Sequence, residues 1–457
     1  MVFSSLTFLL IFLPLTLLLY WLLPGKLKHL SLTVMSLIFY AWGEPVYVLL
    51  MLYSILLNYG LGLLMGQEPG HKKQVLVFGV ILNLAMLGLF KYAGFFVSNV
   101  KTLFGITLKL PEIALPVGIS FYTFQALSYV IDLYRGKIKV QRNLISFACY
   151  ITMFPQLIAG PIVRYESIEA ELMDTKLSLP KFGEGSLRFL KGLFKKVLLA
   201  NTMGALFEYL SPGTGSVLSA WLKVIAFTLQ IYFDFSGYSD MAVGLGKMLG
   251  FTFPENFDHP YVSSSVTEFW RRWHMSLGTW FREYVYIPLG GNRVSVLKHI
   301  RNILVVWLLT GLWHGAGWSF ILWGLYYGLL LLFEKYVVQR VNLPKVLGIF
   351  LTLLAVMAGW VLFFSDDLSS AAAVFKAMIG IGTKLTDRAG LYALTSYGIP
   401  MLVSAFFCLP FLSRWYERMM RLRWVQILTV PAAVLIFVWI LAALITESYN
   451  PFLYFRF

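Results

Sequence analysis

Apolar runs close to the roughly 20 residues that a helix needs to cross a bilayer recur along the whole 457-residue chain. Alternating segments of about 10 residues, the mark of a membrane β-barrel, do not occur. The runs therefore specify helices. Composition agrees: 59% of the residues are hydrophobic and 13% charged, with a mean hydropathy of +0.74, whereas a water-soluble surface needs roughly twice that charge. The expectation is an all-α polytopic membrane protein whose first span, residues 2–23, is a retained helix and not a cleaved leader.

The formal net charge of +15 falls in short basic clusters between apolar runs. That is the pattern of positively charged cytoplasmic loops, not of a nucleic-acid face. Lys26, Lys28 and His29 place the first turn inside. Arg414, Arg418, Arg421 and Arg423 do the same for the loop before the last run, 424–446, so that both termini fall outside. Further membrane segments are expected at about 31–42, which is too short to cross alone and reads as tilted or re-entrant, and at 46–64, 75–97, 144–159, 197–210, 218–233, 346–364 and 396–412, with 365–395 as an external loop. The total is about 11–12 membrane helices plus re-entrant and amphipathic segments in one domain, 1–457. Within it, 1–110 are N-terminal helices, 111–340 a catalytic core, and 341–457 C-terminal helices with an extracytoplasmic tail. Cys149 and Cys408 lie in separate apolar runs and imply neither a disulfide nor a metal site.

One histidine stands out. Leu309-Thr310-Gly311-Leu312-Trp313-His314-Gly315-Ala316-Gly317-Trp318 sets His314 among glycines and tryptophans inside a membrane-length apolar stretch. An ionisable group there costs a few kcal/mol and is a candidate functional residue; the structural alternative is a neutral imidazole bonded to a backbone carbonyl. At about 1.5 Å per residue, a helix from Arg301 reaches His314 after roughly 20 Å, well inside a core about 30 Å thick. Residues 302–314 and 318–334 therefore read as a hairpin entered from the cytoplasm with His314 near its tip; a fully crossing pair would require a basic loop outside.

Before the hairpin, Arg271, Arg272, Arg282, Arg293, Lys298 and Arg301 face Glu283 alone. Such a face suits a phosphorylated donor, and it equally suits a plain cytoplasmic loop. Within Phe269-Trp270-Arg271-Arg272-Trp273-His274 lies a second histidine, on a short amphipathic segment that reads either as an interfacial anchor or as part of a site. Gln125, Tyr129 and Asp132 mark a bundle-facing helix side, and Pro155 to Pro161 interrupts a helix where protein must supply backbone partners. Asp234 and Asp240 read as structural partners of loop arginines, and His29, His71, His259 and His299 lie in ordinary loop contexts. No zinc-ligand spacing is present.

Several motifs in one order carry a resemblance: Phe121-Tyr122-Thr123-Phe124-Gln125, Phe154-Pro155-Gln156, Phe233-Asp234-Phe235-Ser236-Gly237-Tyr238-Ser239-Asp240, Pro254-Glu255-Asn256-Phe257, Glu268-Phe269-Trp270-Arg271-Arg272-Trp273-His274, Tyr286 to Arg293, and Thr310 to Gly315. Through them the chain resembles the membrane-bound O-acyltransferase superfamily, in its bacterial alginate O-acetyltransferase branch. The resemblance implies an enzyme of the bacterial plasma membrane that takes acetyl from cytoplasmic acetyl-CoA, with no bound cofactor or metal. It implies transfer across the membrane for esterification of an extracytoplasmic polysaccharide, alginate or a cell-wall glycan, through a secreted or membrane-anchored SGNH-type acetyltransferase.

His314 matches the superfamily's hallmark histidine and His274 the second histidine of the branch. The tail Phe452-Leu453-Tyr454-Phe455-Arg456-Phe457 is similar to that of companion proteins in D-alanylation systems, which makes Tyr454 a candidate acyl carrier or, on the structural reading, an aromatic anchor. The mechanism expected is general-base catalysis by His314, with His274 orienting the thioester or its oxyanion, and Arg271, Arg272, Arg282, Arg293 and Trp313 holding the donor. A transporter or flippase for a glycan or lipid-linked substrate is the alternative.

Overall fold

The computed structural model describes residues 1–446 and Leu453, apart from 68, 107–113, 212, 214 and 342. Among these residues the secondary structure is helical, with two isolated bridges and no strand. Seven helices among the described residues are long and apolar enough to cross a membrane: Val48–Gln67, Lys72–Phe104, Val217–Met248, Val296–His314, Lys345–Phe364, Arg388–Phe407 and Arg423–Thr446. Shorter apolar helices cover Phe8–Leu22, Leu27–Ala41 and Leu368–Met378. The chain is an all-α polytopic membrane protein. Its contacts divide it into two compact units, one of Met1–Phe189 with Ser239–Pro254 and one of Leu190–Tyr238 with Glu255–Phe457.

In the first unit an aromatic core joins Phe3, Phe8, Phe12, Phe39 and Phe154, with ring centroids 4.9–6.2 Å apart. Val48–Gln67 and Lys72–Phe104 are cross-linked by Asn58 and Asn83, whose amides bond reciprocally at 2.8 and 3.1 Å. In an apolar setting such paired amides satisfy one another's polar atoms and fix the register of two helices. Gln125, Tyr129 and Asp132 are buried on Ile119–Tyr134, as their spacing suggested. Near Pro155 the helix does break: Leu144–Thr152 stops at Met153, a four-residue turn of helix follows, and the irregular backbone to Val163 is buried in protein. Asp240 pairs with an arginine of the preceding basic stretch, Arg188, at 2.6 Å.

Two expectations about the second unit change. The stretch 365–395 is not a plain loop, because Asp367 and Asp387 each cap a helix, accepting the N–H of Ser370 at 2.7 Å and of Gly390 at 2.8 Å. Burial opposes ionisation of Asp387, but hydrogen bonds from Ser219, the Gly390 amide and Ser216 outweigh it and hold its pKa below the usual carboxylate value. Nor is His299 in a loop: it is buried on Val296–His314, with its ring nitrogens 2.8 Å from the Tyr336 hydroxyl and 3.2 Å from that of Tyr286.

Val296–His314 and Trp318–Tyr336 form the expected hairpin. The arms cross backbone to backbone. A Cβ on Gly311 would overlap the carbonyl oxygen of Phe320, and one on Gly324 that of Trp307, so glycine is required at both positions for this approach. The base of the hairpin is tied down by Asn302, whose amide donates to the carbonyls of Leu289 and Gly291 at 3.1 and 3.0 Å.

Candidate active site

His314 ends the first arm of the hairpin, 8% exposed. Its ring lies against Trp313, Trp323 and Phe363, with centroids 5.0, 4.8 and 5.6 Å away. His314 also lines a cavity with Ile231, Asp234, Trp273, Trp360 and Leu453. The void is about 20 Å³, on a measure where one water needs about 10–15 Å³. It is a chamber for small groups.

The orientation of His314 follows from one bond. Nδ1 lies 2.8 Å from the carbonyl oxygen of Thr310. A carbonyl only accepts, so Nδ1 carries the proton and the neutral ring keeps its lone pair on Nε2.

His274 does not sit on a regular amphipathic helix. Val266–Arg272 ends at Trp273, and Met275–Phe281 begins after His274, whose backbone is left-handed at φ 47° and ψ 52°. For a residue with a Cβ this conformation is uncommon, and it persists where the surroundings over-determine it. Here they do so by pairing two segments: Asp258 N–H donates to the Arg272 carbonyl and Met275 N–H to the Asn256 carbonyl, each at 3.0 Å.

Asn256 fixes the ring as well. Its Oδ1 accepts from the Ser276 N–H at 3.1 Å and from the Ser276 hydroxyl at 2.9 Å, and it lies 3.2 Å from His274 Nδ1. Because a backbone N–H can only donate, the amide oxygen must face this way, and His274 Nδ1 is then the donor. Burial first, and then the neighbouring imidazole of His314, push the His274 pKa well below the ordinary imidazole value. The two imidazoles share Trp313 as a wall, His274 lying 5.8 Å from it and 4.7 Å from Phe235.

Glu334 links the segments that carry the two histidines. It lies on the second arm of the hairpin, and its carboxylate accepts the N–H of Val266 at 2.6 Å and of Thr267 at 3.3 Å, at the start of the helix leading to His274. A carboxylate at a helix N-terminus satisfies otherwise unpaired donors and complements the dipole.

Of the residues singled out in the sequence, His274, Trp313 and His314 therefore come together. The arginines do not join them. Arg271, Arg282 and Arg293 are exposed; Arg272 is half-buried and paired with Glu268 at 2.8 Å, and Arg282 lies 3.9 Å from Glu283. None of the four lines the cavity. Tyr454 lies outside the described residues. Asp234 pairs with Lys196 at 2.6 Å and not with an arginine. Sequence reasoning assigned no role to Asn256, Trp323, Trp360, Phe363 or Glu334; only Asn256 left a trace, inside Pro254-Glu255-Asn256-Phe257. Among the described residues, no group of three or more His, Cys, Asp or Glu could hold a metal ion.

The profile of the membrane-bound O-acyltransferase family matches residues 137–364, a stretch that contains both histidines and the hairpin. Over its full length the chain is 42% identical to the whole of the probable alginate O-acetylase AlgI of Pseudomonas putida. The chain belongs to the membrane-bound O-acyltransferase family. It falls in the alginate O-acetylase branch, and it is an acyltransferase, which decides against the transporter alternative. A second relative, the peptidoglycan O-acetyltransferase of Helicobacter pylori, is 34% identical over 83% of this chain and 80% of its own length. At 29% identity the teichoic acid D-alanyltransferase of Bacillus subtilis matches 54% of this chain and 68% of its own.

Proposed function

We propose that this membrane O-acyltransferase, lying in the bacterial plasma membrane, takes acetyl from cytoplasmic acetyl-CoA. It passes the group across the bilayer for O-acetylation of an extracytoplasmic polysaccharide, alginate or a cell-wall glycan, through an SGNH-type partner transferase. The observation that carries the reading is the tautomer of His314 set by its Nδ1 bond to the Thr310 carbonyl, on a residue that lines a buried aromatic chamber. A small chamber suits a two-carbon acyl group. The names of the relatives support a sugar-polymer acceptor.

The chemistry is acyl transfer. Tyr454 is the acceptor, and its phenol, with an ordinary pKa near 10, needs a base to become nucleophilic. As the phenol oxygen attacks the thioester carbonyl, its proton moves to Nε2 of His314. His274 faces the developing oxyanion or orients the thioester. When the tetrahedral intermediate collapses, the C–S bond breaks, the thiolate leaves with the proton held by His314, and an acetyl ester remains on the tyrosine. The partner transferase then moves that acetyl to a sugar hydroxyl. Arg271, Arg272, Arg282 and Arg293 form the docking face for the donor phosphates, outside the chamber, and Trp313 walls the acyl end.

The test uses the purified full-length protein with radiolabelled acetyl-CoA, comparing wild type, His314→Ala and Tyr454→Phe. Thiol release and protein-bound label in wild type, with label lost in both variants, are expected. Absence of thiol release even with candidate partners present overturns acetyl-CoA as the donor.

A further inference from the structure

The C-terminal tail meets the chamber at Leu453. This residue is 5% exposed and lines the cavity with His314, Trp323 and Phe363. Its backbone N–H donates to Oδ2 of Asp234 at 2.9 Å, while Oδ1 of the same carboxylate lies 2.6 Å from Nζ of Lys196. Lys196 bonds in turn to Oδ1 of Asn201 at 3.1 Å. Asp234 and Lys196 are 2% and 3% exposed.

Burying a carboxylate and an ammonium costs more in lost hydration than ordinary packing requires, and the cost is met only when the remaining lone pairs find donors. Here a donor comes from a residue 219 positions away in sequence. The pairing matters to that bond: a hydrogen bond to an ionised acceptor is about twice as strong as a neutral one, and Nζ of Lys196 lies 2.6 Å from the same carboxylate. Asp234 is also next in sequence to Phe235, whose ring packs 4.7 Å from His274. One turn of Val217–Met248 therefore holds both the second histidine's neighbour and Leu453.

We propose that Asp234, charged against Lys196, is a positioning residue that moors the C-terminal tail in the His314 chamber by binding the Leu453 amide. Leu453 directly precedes Tyr454. The mooring sets the reach of the tail and holds water out of the chamber while the acyl group is handed over. Its catalytic consequence rests on the acyl-transfer reading above; the mooring itself does not.

Two measurements on the full-length protein in nanodiscs test this. The first is amide hydrogen exchange of the C-terminal peptide. Wild type is expected to show slow exchange at Leu453. Asp234→Leu combined with Lys196→Met removes the pair without leaving a lone buried charge, and it should speed that exchange by about ten-fold or more while the helices stay protected. Equal exchange in both proteins overturns the mooring. The second compares Leu453→Pro, which deletes the N–H and fixes φ, with Leu453→Ala, which keeps the N–H while it too loses the leucine side chain, by the label retained per thiol released from acetyl-CoA. Leu453→Pro should retain about ten-fold less label than Leu453→Ala; equal retention overturns the positioning role. A wild type that protects the Leu453 amide but takes up no label supports the mooring and sinks the tyrosine relay instead.

Discussion

His314 Nδ1 lies 2.8 Å from the carbonyl oxygen of Thr310, one turn earlier on the same helix. That bond leaves Nε2 as the basic atom, so a side chain of similar size without a lone-pair nitrogen should bind donor and fail in chemistry. For His314→Gln, kcat for thiol release from acetyl-CoA should fall by about 10²–10⁴, the usual worth of a general base, with KM little changed. Steady-state kinetics decide this, and a wild-type kcat would remove His314 from proton transfer.

Asn256 Oδ1 gathers three donors from His274 and Ser276. Asn256→Leu leaves a buried N–H unsatisfied and should destabilise the fold by about 1–3 kcal/mol, read as a lower unfolding midpoint. Asn256→Asp keeps the acceptor oxygens and adds charge. Because a nearby carboxylate favours imidazolium, the acidic limb of the rate profile should move to higher pH if His274 acts as a neutral donor or acceptor.

Stability should depend on pH through His274. Its folded pKa is depressed by burial and then by His314, against about 6.5 unfolded. Below about pH 6.5 the unfolded chain therefore binds the extra proton, and stability falls as pH falls, by up to about 1.4 kcal/mol per pH unit. Above that value the contribution is flat. Unfolding midpoints between pH 5 and 8 should show this slope in wild type and a weaker slope in His274→Asn.

Gly311→Ala and Gly324→Ala each place a methyl against a backbone carbonyl of the opposite arm. Overpacking of this kind costs about 1–3 kcal/mol, and here the neighbour is main chain that cannot rotate away. Both variants should unfold earlier and lose acyl transfer. Gly183→Ala is the control, since its Cβ meets nothing within 4 Å.

Much of the architecture was legible because apolar length is a one-dimensional signal. The expected runs 46–64 and 424–446 are Val48–Gln67 and Arg423–Thr446, and the hairpin arms appear where the glycine-rich tip placed them. Where charge balance was read as loop, the aspartates at 367 and 387 instead begin helices, a signal that charge counting discards. The two histidines and Trp313 were legible because polar chemistry in an apolar text is conspicuous. Their partners were not. Asn256 acts through a reversal of the backbone at His274, and Asp234 meets Lys196 and Leu453 only through tertiary packing.

The partner of the central histidine is a peptide carbonyl, not a side chain. No substitution at position 310 short of breaking the helix deletes it, so a mutational scan will find the base and miss what aims it. The orienting group is carried by the polymer itself, while the Thr310 hydroxyl is turned back to the Val306 carbonyl at 2.8 Å and takes no part in that bond.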